Sequence, residues 1–119
     1  MKKYSVIYIK GGSDFSARFS DWTAGELHVV ADITSAMRTV SDQKAERAFF
    51  LYEQRDEETD LQNIRFLRSW FPNAGIVLVA GHALTDDERH AYLRAGVHGA
   101  LRADVTEAAF RHTMQIVAD

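Results

Sequence analysis

The run Gly75–Ile76–Val77–Leu78–Val79–Ala80–Gly81 constrains the fold more than any other stretch. Five apolar residues lie between two glycines with no polar alternation. A strand wet on one side alternates apolar and polar residues, whereas one covered on both faces has no reason to. Such a strand belongs in a parallel sheet flanked by helices. Glu46–Arg55, "ERAFFLYEQR", has the same character, apolar from Ala48 to Tyr52 with charges only at its ends.

The rest of the chain supplies the partners of these two strands. Tyr4–Ile9 is β-branched and aromatic, and Gly11–Gly12 breaks it. Ser13 is placed to cap a helix carrying Phe15, Phe19 and Trp22. Leu27–Ile33 reads as a second strand, followed by a short helix with Met37 and Val40 on one face. Acidic Asp56–Asp60 leads into a helix with Leu61, Ile64, Leu67 and Phe71 inward, with Asp60 or Thr59 as its cap. Pro72, the only proline, closes that helix. Phe66 and Trp70 lie off its core stripe; packing on a neighbouring helix is the simpler account, and an exposed Trp70 would mark a docking patch.

"TDDE", Thr85–Glu88, is a capping box for a fourth helix, which Gly96 ends. Val97–Leu101 is a short fifth strand. The last helix follows Thr106 and turns Phe110, Met114 and Val117 inward. The expected fold is a three-layer α/β/α sandwich around a five-stranded parallel sheet, order 2-1-3-4-5, of the flavodoxin-like kind. Right-handed crossovers bring the strand carboxyl ends to one edge: Lys10–Gly12, Tyr52–Arg55, Ala80–His82 and Arg102–Asp104.

With 119 residues, one domain spanning 1–119 is expected. A net charge of −3 argues against general attraction to nucleic acid or an anionic membrane. There is no cysteine, so disulfides and thiolate metal sites are excluded. The opening "MKKYSVIYIKGG" lacks a cleavage site and meets Lys10 after one strand's length, so a cytoplasmic protein is expected. Histidines 28, 82, 90, 98 and 112 form no helical i, i+4 pair, and no metal or cofactor is expected from them.

From Phe71 to Phe110 the sequence resembles a response-regulator receiver domain. The carrying residues are "FPNAGIVLVAGHALTDDERHAYLRAGVHGALRADVTEAAF", with proline before an apolar strand, an acid-capped helix ending in Ala95–Gly96, and a short strand before a last helix. The resemblance implies a site on the strand-tip edge: two carboxylates after strand one for Mg²⁺, an aspartate at the tip of strand three for the phosphoryl group, a hydroxyl after strand four, and a lysine after strand five. Mg²⁺ requires hard oxygen ligands, and the transferring group requires compensating cations.

This sequence departs at all four places. Lys10–Gly11–Gly12 follow strand one, with no carboxylate before Asp14. Counting back from the Leu61 helix puts Tyr52 at the acceptor position and Glu53 one residue later, facing the other side of the sheet. Ala80 or Gly81 takes the hydroxyl position, and Ala103 the lysine position, with Asp104 after it. The resemblance is therefore to an atypical, or pseudo-, receiver whose degenerate pocket comprises Lys10, Gly11, Tyr52, Glu53, Ala80, Gly81 and Ala103. A Lys10–Glu53 or Lys10–Asp56 ion pair is one way to close that edge; a solvated Lys10 is the other. Tyr52 has no base to activate it and is expected to fill the pocket. "KGGSDF" reads as a plain turn, although glycines before a helix N-terminus can also receive an anion.

In receivers, the face made by the fourth helix, fifth strand and last helix meets partners. Here the resemblance puts Tyr92, Arg94, His98, Arg102, Arg111 and His112 on it. Arginine and tyrosine are enriched at interfaces. The expected function is a non-catalytic signalling and protein-interaction domain of a two-component-type system. Its partner would be a kinase, an output domain or a second copy, with no nucleic acid and no membrane. Two alternatives stand beside it: a small-molecule or anion sensor around Lys10, Gly12 and Gly81, and an unconventional phosphoacceptor using Glu53 or Asp56.

Overall fold

The computed structural model describes residues 4–13, 15–23, 26–43 and 47–118. Five strands and five helices alternate along them: β1 (Tyr4–Ile9), α1 (Ser16–Trp22), β2 (Leu27–Val30), α2 (Ile33–Gln43), β3 (Arg47–Glu53), α3 (Glu57–Trp70), β4 (Gly75–Ala80), α4 (Asp86–Ala95), β5 (Gly99–Arg102) and α5 (Glu107–Ala118). All neighbouring strands pair parallel, in the order β2-β1-β3-β4-β5.

The expected architecture is present, and the two unalternating runs explain it. Every residue of β4 and all of β3 after Arg47 is buried, because helices cover both faces. Residues of opposite parity feed two separate cores. Ile7, Phe50, Tyr52, Ile76 and Leu78 pack under α2, α3 and α4 with Ile64, Leu67 and Tyr92. Tyr8, Leu51, Val77 and Val79 pack under α1 and α5 with Phe19, Phe110 and Val117.

Several boundaries differ from the sequence reading, each for a local reason. β2 stops at Val30 and Ile33 opens α2, because Asp32 accepts the Ser35 amide at 2.8 Å and turns the chain. β5 starts at Gly99, not Val97: Val97 donates its amide back to Tyr92 as α4 unwinds. Ser13 does not cap α1; the N-cap is Phe15, with no side-chain bond. Asp56 caps α3 by accepting the Thr59 amide at 2.9 Å, so neither Thr59 nor Asp60 does. The Thr85–Glu88 capping box is complete, and Gly96 ends α4 at φ 131°, where a β-carbon would be strained. Phe66 and Trp70 do not join a core: their rings meet tilted, 5.9 Å apart, on the outside of α3, 41% and 59% exposed. None of the described helices is long and apolar enough to cross a membrane.

Candidate functional site at the strand-tip edge

The carboxylate at the tip of β3 belongs to Glu53, and it points to the α1 face of the sheet, beneath the β1–α1 turn. Tyr52, counted from sequence as the residue at that place, turns to the opposite side. The two residues thus face opposite sides of the sheet, as alternation along a strand requires. Glu53 is 1% exposed, and donors surround it. Its Oε1 accepts the Tyr8 hydroxyl at 2.6 Å and the Phe15 amide at 2.9 Å; its Oε2 accepts the Ser13 amide at 3.0 Å. The β1–α1 turn thus folds over the carboxylate and gives it backbone N–H groups. Gly11 makes the approach possible. A β-carbon there would lie 2.6 Å from Glu53 Oε2 and 3.0 Å from the Gln54 carbonyl.

Two other positions of the degenerate pocket, Gly81 and Ala103, are approached from the same turn and helix. Beyond Gly81, the nearest atoms a β-carbon would meet are those of the Phe15 ring, at 3.7 and 3.8 Å. Ala80 is buried beneath. At Ala103 the side chain packs against the α1/α5-side core, and the carbonyl accepts from Arg18 of α1 at 2.7 Å; Arg18 also donates to the Val105 carbonyl at 2.8 Å. The Arg18 guanidinium also lies 5.0 Å from the centre of the Trp22 ring. A cation therefore does stand by the β5 tip, but it comes from α1 and ties down the β5–α5 turn. Sequence reasoning passed over Arg18 because it looked for a lysine in the loop itself. The stripe of Phe15, Phe19 and Trp22 gave the face of α1, and Arg18 neighbours it.

Of the two alternatives for Lys10, the ion pair with Glu53 or Asp56 does not form. Neither Glu53 nor Asp56 is bonded to its ammonium; its amide donates to the Val30 carbonyl, and the residue lines the opposite side of the edge with Asp32, Tyr52 and Arg55. Glu53 is saturated by shorter-range donors, and Asp56 is turned into α3 as its cap. Asp14 lies outside the described residues.

On the α3 side stands a second buried carboxylate, which the sequence offered only as a helix cap. Asp60 is fully buried one turn into α3. Its Oδ1 accepts the Tyr52 hydroxyl at 2.9 Å, its Oδ2 accepts the Tyr92 hydroxyl at 2.8 Å, and the Arg55 amide donates to both oxygens at 3.0–3.2 Å. Asn63 donates to the Tyr52 hydroxyl at 2.8 Å. Burial pushes the Asp60 carboxyl above the ordinary range, and the donor bonds oppose that. The same burial pushes both phenols well above theirs. Tyr52 therefore stays a neutral hydroxyl bonded to an acid, which suits anchoring and not phosphoryl acceptance.

The six residues assigned to one partner face do not share one. Tyr92 is in the core. His98 sits before β5 at the far end of the sheet, where its Nδ1 meets Arg68 and the Ile76 amide, each at 3.3 Å. Arg111 is tied to Glu107 and to the Trp22 carbonyl on α1. Arg94, Arg102 and His112 are exposed. Between α4 and the edge strand β5 lies a groove of about 340 Å³, lined by Leu84, Arg89, Leu93, Val97, Ala100 and Arg102 among others. Among the described residues, no three His, Cys, Asp or Glu side chains come together to hold a metal ion.

No family model and no curated protein sequence matches this chain. Solved structures do match it. A CheY-like protein (tadZ) from Pseudomonas aeruginosa PAO1 superposes with a TM-score of 0.72 at 14% identity, covering 98% of this chain and 94% of that one. A two-component response regulator from Clostridium difficile gives 0.76 at 12% identity, covering 98% and 96%. The fold is that of the response-regulator receiver domains. NtrX from Brucella abortus gives 0.75 at 14% identity, and this chain spans only 26% of its length.

Proposed function

We propose that this chain is a protein-interaction module on the receiver fold, neither an enzyme nor a switch thrown by phosphoryl transfer to a strand-tip carboxylate. The carrying observation is Glu53. Its oxygens are taken by Tyr8 and by the amides of Ser13 and Phe15, so the turn occupies the sites where a metal or an incoming phosphoryl group would have to bind. The described residues do not fit Mg²⁺ either: the metal needs several hard oxygen ligands, and here Glu53 is enclosed by donors, Asp56 is engaged as the α3 cap, and Asp32 lies on the other side of the edge beside Lys10. The Phe15 ring near Gly81 and Arg18 on the Ala103 carbonyl add to the cover on the α1 side.

With the α1 side of the strand-tip edge occupied by the turn over Glu53, recognition of a protein falls to the surface. The α4–β5 groove suits a protein partner of two-component-type signalling, be it a kinase, an output domain or a second copy. Half-exposed Leu93 and the small Ala100 give it apolar floor, and Arg89 and Arg102 rim it with charge.

Incubation with acetyl phosphate and Mg²⁺ followed by peptide mass mapping tests the closed edge. The expected result is no acyl phosphate anywhere on the chain. A phosphoryl group mapped to Glu53 or Asp56 would overturn the reading in favour of an unconventional phosphoacceptor.

A further inference from the structure

In a sheet of order 2-1-3-4-5 the strand order reverses between β1 and β3, which opens a crevice at their carboxyl ends. On the α1 side the turn over Glu53 fills it. On the α2–α3 side it remains a pocket of about 250 Å³, lined by Lys10, Asp32, Thr34, Tyr52, Arg55 and Asn63.

Lys10 and Arg55 come from the tips of different strands, and among the described residues neither forms an ion pair with a carboxylate. Asp32 stands in the same pocket and Arg55 acts on its carboxyl, so the two cations leave an excess of one positive charge around the concavity, which raises the local potential and favours an anion. The first turn of α2 begins at the same pocket. Asp32 accepts the amide of Ser35 there, and the first-turn amides of Ile33 and Thr34 have no acceptor within the helix. At the base, Asn63 commits one of its two N–H donors to Tyr52, whose hydroxyl is itself fixed by Asp60. The wall is therefore rigid and donor-rich.

Asp32 sets the rest of the ligand. Its bonds to Ser35 hold its carboxyl below the ordinary range, so it is an acceptor at neutral pH. A bare anion would meet one repelling charge; an anion that also carries hydroxyl groups would meet a partner for them. The volume lies below the roughly 300–1,000 Å³ of pockets for drug-sized molecules, which selects something small.

We propose that this crevice binds a phosphate monoester of a small polyhydroxylated carbon skeleton, with the phosphate between Lys10 and Arg55 and a hydroxyl donating to Asp32. The site is separate from the docking surface, and neither Glu53 nor the α4–β5 groove contributes to it.

Titration of the full chain with ribose 5-phosphate, followed by backbone amide shifts, tests it. Saturable shifts are expected at Lys10, Thr34, Arg55 and Asn63. Lys10→Gln and Arg55→Gln are each expected to weaken binding about tenfold or more, the scale of one charge-assisted contact. Inorganic phosphate and free ribose are expected to bind at least about tenfold more weakly than the ester, since each makes half the contacts. Asp32→Asn keeps a competent helix cap and is expected to erase the preference for the ester over inorganic phosphate. The proposal is overturned if no saturable shift reaches these amides, if both cation variants bind undiminished, or if wild type holds inorganic phosphate as tightly as the ester.

Discussion

Glu53 and Asp60 are two buried carboxylates seven residues apart, on opposite faces of one sheet, and they are held in different ways. Glu53 takes two of its donors from the backbone of a surface turn and one from Tyr8. Asp60 takes two tyrosine hydroxyls from β3 and α4, plus the Arg55 amide. A surface turn can lift away and find water; buried hydroxyls cannot. The same chemical group is thus a latch on one face and a keystone on the other. Loss of the latch should free one turn, whereas loss of the keystone should loosen the packing of α3 against α4.

The largest effect expected from this contrast is that of Asp60→Ala. It leaves the Tyr52 and Tyr92 hydroxyls buried without their acceptor and opens a small void, at a cost of about 3 kcal/mol. Urea unfolding measures it. The comparison breaks if Asp60→Ala costs no more than an ordinary surface substitution, because the tyrosines would then have other partners.

The intermediate effect is that of Glu53→Gln. An amide keeps one acceptor oxygen and sets an NH₂ against an N–H or hydroxyl donor, for about 1–2 kcal/mol. Its signature is local. Hydrogen exchange should quicken at Ser13 and Phe15 while the core amides of β3 and β4 keep their protection relative to global stability. A destabilisation as large as that of Asp60→Ala, with exchange quickened throughout the sheet, would make Glu53 a second keystone and erase the distinction.

The order of elements was legible because burial on both faces writes itself directly into unbroken apolar runs, as in β3 and β4. Caps were legible where the pattern has two parts, as in Thr85 with Glu88, and not where one acid had to be chosen from Asp56 to Asp60. The site was less legible for reasons of parity and reach. One residue of register decides whether Tyr52 or Glu53 points to the α1 face, and the sequence carries no mark of it. The Glu53 latch is made of backbone amides, which every residue has and no motif announces. Arg18 reaches Ala103 across 85 positions of chain, a distance over which local patterning says nothing. Tyr92 had an interface-like composition around it, but its hydroxyl has a buried acid to reach, and one turn of helix separates the two destinations.

The smallest expected effect lies at the opposite end of the sheet, where a polar contact is neither latch nor keystone. His98 Nδ1 faces two donors, the Ile76 amide and Arg68, so it serves as an acceptor and the ring is held neutral. Partial burial, then the charges of Arg68 and Arg47, lower its pKa from the ordinary 6.5. In the unfolded chain the ring titrates at its ordinary value. Below pH 6.5 the unfolded state therefore binds the proton first, and stability falls as pH drops from 6.5 toward the lower folded value. Above 6.5 both states are neutral and the contribution is complete. Because the ring is largely exposed, the loss is expected to be a few tenths of a kcal/mol. Urea unfolding at pH 7.5 and 5.5 should show wild type losing more than His98→Gln, with the other histidines common to both. Equal losses would mean that the imidazole keeps its ordinary affinity for the proton in the folded chain, and that Arg68 holds the Ala74 and Gly96 carbonyls without help from His98.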